Sequence, residues 1–166
     1  MNYYLLIPLL GLVALLQTTL VPALQAFNAV PNLVLIVVVG YTMEYGSQRG
    51  LMWAFIGGLW LDLLTGTPLG VSAIALIIVV SVVGMVSSNL FRGHVVILAL
   101  GGLLAGVLYG IIVVAILTLV GRPTVWPEAI VGVILPNAVY NAVVLPILYP
   151  GVRWIGGIVN GRQAQL

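Results

Sequence analysis

No charged side chain appears before Glu44, and residues 63–91, 93–121 and 129–152 are again free of charge. Each of these runs exceeds the roughly 20 apolar residues that a membrane-crossing helix needs. The whole chain carries five basic and three acidic residues among 166, so 5% is charged and 63% is hydrophobic. Soluble domains carry roughly 25% charge. Eight ions cannot cover a water-facing surface of this size, so lipid has to be the solvent.

The polar gaps between the runs are short, and the sequence predicts one membrane domain over residues 1–166 with no appended soluble module. Zero cysteines exclude disulfides, thiolate metal sites and cysteine nucleophiles. The net charge of +2 is scattered, which speaks against nucleic-acid binding and makes the arginines a topology signal. Ala23 and Ala26 mimic a signal-peptide cleavage site. However, residues 1–26 hold no Lys or Arg, so the segment is read as a first helix.

The expected architecture is all-α and polytopic, with six transmembrane helices at about 3–24, 33–45, 51–64, 71–90, 95–120 and 127–149. Residues 25–31 form a turn and Asn32 is a plausible N-cap. Residues 46–50 read as a loop, 65–70 as a turn, 91–94 as a loop, and the chain ends in a short amphiphilic tail. Arg49, Arg92, Arg153 and Arg162 fall on one side and only Arg122 on the other. The positive-inside rule then makes both termini cytoplasmic, with Trp126 at the outer interface and Trp154 at the inner one. Helices two and three, at about 1.5 Å per residue, reach only ~20 Å of a ~30 Å core and must be sheltered by neighbours.

Asp62 is the one charge deep inside an expected span. Its insertion costs about 2.5–3.5 kcal/mol at a helix centre, so it must be compensated. Locking helix three to a neighbour or to the amides of the following turn, with Thr65 or Thr67, is one reading. A contact point for a partner or ligand is the other. Glu44 and Arg49 read as an ion pair closing a cytoplasmic hairpin, worth under about 1 kcal/mol if exposed; cytoplasmic docking is the alternative. His94, alone in its loop, reads as solvated, not as a metal ligand. Glu128 beside Pro127 suits the first turn of helix six.

Pro136 predicts a kink and a free carbonyl at Gly132. Asn137 and Asn141 share a face at i, i+4, either to satisfy that backbone and a neighbouring helix or to line a polar pocket. Gly102, Gly106 and Gly110 form a double GxxxG stripe that lets another backbone approach, from within the chain or from a partner. Catalysis finds no footing, because Asp62 has no second acid nearby and no phosphate loop or metal constellation appears. No cofactor is expected.

Pro31-Asn32-Leu33 opens a short second helix, and Gly57-Gly58-Leu59-Trp60-Leu61-Asp62-Leu63-Leu64-Thr65-Gly66-Thr67-Pro68-Leu69-Gly70 closes the third. This pattern resembles the MreD family of rod-shape-determining proteins, as do the polar sixth helix and the short basic tail. The low charge departs from typical members. The resemblance implies a non-enzymatic scaffold subunit in the bacterial inner membrane. Such a subunit supports lateral peptidoglycan synthesis by binding the bitopic protein MreC. Through MreC it would reach the peptidoglycan synthase of the elongation complex (a SEDS transglycosylase with its transpeptidase) and the actin-like MreB. The family is also similar in architecture to the substrate-binding subunits of energy-coupling-factor transporters. That similarity makes binding of a small vitamin-like solute the alternative.

Overall fold

The computed structural model describes residues 3–19, 31–90, 95–122 and 125–159. Those residues are helical throughout apart from short turns: α1 (Tyr3–Thr19), α2 (Leu33–Tyr45), α3 (Ser47–Thr65), α4 (Val71–Leu90), α5 (Val95–Leu119), α6 (Trp126–Ala129) and α7 (Leu135–Val159). A π-helical segment, Ile130–Ile134, joins α6 to α7, so one rod runs from Trp126 to Val159 and the described residues form six rods. Two rods are long and apolar enough to cross a membrane, the 25-residue α5 and the 34-residue Trp126–Val159.

The shortest rod is the centre of the molecule. Every residue of α2 from Val34 to Met43 is buried, and α1, α3, α4, α5 and α7 all pack against it. A helix that is apolar on every side has no face for water, and here protein takes all of them. The expectation that the short second helix is sheltered by neighbours therefore describes α2. The long rods lie outside it and leave most of their surface, including Leu104, Val131 and Ile147, facing outward.

Helix three is not short. Only Gly46 (φ +89°) separates α2 from α3, and the expected loop at 46–50 is helical from Ser47 onward. Gly50 is a packing glycine, not a turn glycine, because a Cβ there would overlap the Thr42 side chain. The hairpin closes too tightly for any other residue at that point. The amphiphilic tail is likewise corrected: α7 continues through Pro146 and Pro150 to Val159. Proline's fixed φ is helical, and packing of Val152 and Gly156 on α2 holds the last turns in place.

Just before Pro136, where a kink is expected, the helix has a widened turn. The Leu135 N–H bonds to the Ile130 carbonyl, five residues back, so the backbone is rearranged before the proline is reached. The limits of α4 and α5 fall within a residue of expectation. The end of the first span (20–24), the turn at 25–30, the loop with Arg92 and His94, and Arg162 lie outside the described residues.

Candidate functional site: a buried polar chain through five helices

Asp62 is 1% exposed, one turn before the end of α3. Its Oδ1 accepts from the Thr67 hydroxyl and the Ser72 N–H, each at 2.9 Å, and its Oδ2 accepts from the Gly70 N–H at 2.8 Å. The first amides of α4 have no partner within their own helix. The carboxylate therefore caps α4 from the preceding helix, with its charge at the positive end of the α4 dipole.

The chain can fold back this far because Gly66 (φ +67°) and Gly70 (φ +100°) adopt left-handed backbone. Thr65 takes no part in holding the carboxylate. Its hydroxyl donates to the Leu61 carbonyl and lies 3.1 Å from that of Thr67. Two glycines set the approach of the helices. A Cβ on Gly57 would come within 2.8 Å of Val34, and one on Gly58 would overlap the Ala73 backbone.

The start of α2 lies inside the protein, and its free amides are met by side chains from three places. Asn32 caps its own helix, accepting from the Leu35 N–H at 3.0 Å. Gln17 of α1 accepts from the Val34 N–H, and Asn141 of α7 accepts from the Asn32 N–H, both at 3.0 Å. The Tyr109 hydroxyl of α5 is hydrogen-bonded to the side chains of Asn32 and Ser72. A continuous polar chain thus runs Asp62, Ser72, Tyr109, Asn32, Asn141 and ties α3–α4, α5, α2 and α7 together. Without these partners, polar groups in an apolar interior would each cost several kcal/mol.

Sequence reasoning missed Gln17, Ser72 and Tyr109. Gln17 carried a signal, as the one amide side chain of α1. Nothing in the local pattern marks Ser72 or Tyr109, whose partners are distant in the chain.

The glycine stripe of α5 faces α7. A Cβ would meet the Asn141 carbonyl oxygen at 2.8 Å from Gly102, the Ala138 Cα at 2.9 Å from Gly106, and Ile134 at 2.8 Å from Gly110. Gly106→Leu should therefore push the two rods apart and destabilise the detergent-solubilised chain by about 2 kcal/mol or more, whereas Val107→Leu should be mild. Equal tolerance in thermal unfolding would contradict this packing.

Between these rods lies a partly open cavity of ≈ 130 Å³. Asn32, Tyr109, Asn137 and Asn141 supply its polar lining, and Gly106, Gly110, Val113, Val114, Val133 and Ile134 its apolar walls. Asn137 and Asn141 thus meet at one site, while Asp62 is joined to it only through the chain of hydrogen bonds.

The hairpin ion pair is corrected. Arg49 is exposed on the first turn of α3, and Glu44 pairs instead with Arg153 of α7 at 3.3 Å. Glu44 also accepts from the Tyr149 hydroxyl, and the Tyr45 hydroxyl donates to the Arg153 carbonyl at 3.0 Å. With α3 helical from Ser47, Arg49 belongs to the first turn of a helix and not to a loop, while α7 brings Arg153 to Glu44. The Arg153 side chain is 69% exposed, so Arg153→Ala should shift stability by under about 1 kcal/mol. A larger loss in denaturant unfolding would mean that the pair is screened from water.

Among the described residues no group of three or more His, Cys, Asp or Glu could hold a metal ion. Residues 1–155 match the family of the rod shape-determining protein MreD. The chain belongs to the MreD family. No curated protein and no solved structure matches it significantly. Membership makes it a rod-shape-determining membrane protein of a structural family. The Gly57-Gly58…Asp62…Gly70 segment that carried the resemblance to MreD is the hairpin in which the glycines admit α4 and the carboxylate caps it.

Proposed function

We propose that this MreD-family protein is a non-enzymatic scaffold subunit of the bacterial elongation complex. It crosses the inner membrane six times with both termini cytoplasmic, binds an MreC-type bitopic protein, and through it supports the peptidoglycan synthase and MreB. The observation that carries this reading is the family match over residues 1–155. The interior supports it, because Asp62 and Asn141 are engaged in hydrogen bonds between helices. That is the use of polar groups expected where helices associate without a hydrophobic drive.

Affinity purification of the full chain from membranes should recover the MreC-type protein and elongation components. Recovery of paired ATPases in their place would favour the transporter subunit. The cavity is the one observation on that side. At ≈ 130 Å³ it falls well below the roughly 300 Å³ at which ligand pockets begin, too small for a vitamin. Topology is tested separately. A cysteine at Gln48, exposed in the first turn of α3, should label from the cytoplasm and one at Thr124 from outside. The reverse pattern would invert the orientation.

A further inference from the structure

We infer that the cavity between α5 and the Trp126–Val159 rod receives the polar end of an uncharged, hydroxyl-headed lipid from the bilayer. This rests on the membrane setting alone and not on MreC binding. The cavity places Tyr109 of α5, Asn137 and Asn141 of α7, and Asn32, the cap of α2, around one space. Amides and a phenol both donate and accept, which suits a hydroxyl. No charged side chain lines the space, so an ionic head would lose its hydration without a counter-charge, at a penalty of several kcal/mol.

Size limits the occupant to a head group. A void of about 150 Å³ takes a benzene-sized group, so ≈ 130 Å³ holds a glycerol-like end and leaves the acyl chains outside. The mouth is where chains would lie. Val133 lines the cavity and is 53% exposed, beside the outward-facing Ile130 and Val131. Val133 and Ile134 also belong to the π-helical segment, a distortion frequent at functional sites. Here the wide turn brings one wall of the cavity into place next to its opening.

The test uses the purified full chain and a dioleoylglycerol probe with a photoreactive diazirine near the glycerol. Labelling should saturate, map to the peptides around Val113 and Asn137, and be competed by dioleoylglycerol but not by dioleoylphosphatidic acid, which has an ionic head and no free glycerol hydroxyl. Val113→Phe, which fills the space, and Asn137→Leu, which removes a polar wall, should each cut labelling roughly tenfold. Ile147→Phe, at an outward-facing position further along α7 that does not line the cavity, should leave it unchanged. If Val113→Phe does not fold, Asn137→Leu decides. Labelling that never saturates, that the anionic lipid competes equally, or that survives Asn137→Leu would overturn the proposal and leave the space to water. Copurification of the MreC-type partner, measured on the same variants, separates failure of the scaffold reading from failure of this one.

Discussion

Asp62→Leu should destabilise the folded chain by at least about 3 kcal/mol and abolish rod-shape complementation, because three donors lose their acceptor together. The Gly70 and Ser72 amides and the Thr67 hydroxyl all point at this carboxylate. Asp62 and Ser72 are buried, so water cannot replace the acceptor there, and an orphaned donor costs about 1–3 kcal/mol. Asp62→Asn separates geometry from charge. An amide oxygen in the place of Oδ1 keeps the Thr67 and Ser72 bonds, but the NH₂ group then faces the Gly70 N–H, donor against donor. Asparagine should therefore retain a folded protein at a loss of roughly 1–2 kcal/mol, with partial function. Unfolding of the solubilised variants, beside complementation in a strain lacking the protein, measures both. A stable, functional Leu variant would show that the turn holds without its acceptor.

Gly58→Ala should match that loss although it adds a single methyl group. The added carbon would overlap the Ala73 Cα and lie within 2.5 Å of its amide nitrogen. A backbone cannot rotate aside as a side chain can, so α4 has to move. Overpacking typically costs about 1–3 kcal/mol, and a backbone obstacle puts this case at the upper end. The shift also pulls the Ser72 amide off Asp62, so the two variants should be non-additive in a double-mutant cycle. Gly157→Ala is the control. Nothing lies within 4 Å of its would-be Cβ, and it should change stability by only a few tenths of a kcal/mol. If Gly58→Ala and Gly157→Ala unfold alike, the α3–α4 approach is not as close as drawn.

Local chemistry was legible wherever a polar residue stood alone in apolar surroundings. Asn32 before Leu33 announced a helix start, and its side chain caps α2. Asp62 followed by a Gly- and Thr-rich turn announced an acceptor for that turn, and three hydrogen bonds arrive there. Asn137 and Asn141 announced a shared polar face, and both line one cavity. Local reasoning failed where one residue type serves two ends. Gly50 reads as a turn glycine but is a contact glycine, and that difference resides in Thr42 on another helix.

By itself, then, the sequence determined the solvent, the helical class, most helix limits and the polar residues that had to find partners. Charge is too sparse for a water-facing surface, and in lipid every backbone group must be paired inside the protein, which favours helices. The tertiary structure alone decided which rod is central, which face of each rod turns inward, and which partners meet. In a soluble protein, polar outer faces mark the inner ones. Here the lipid-facing Val131 and Ile147 are as apolar as the buried Leu76 and Leu145, so periodicity holds no record of the inside. Packing supplies that record. Small residues let α3 approach α4 and α5 approach α7, and these approaches bring Ser72 to Asp62 and Asn141 to Asn32.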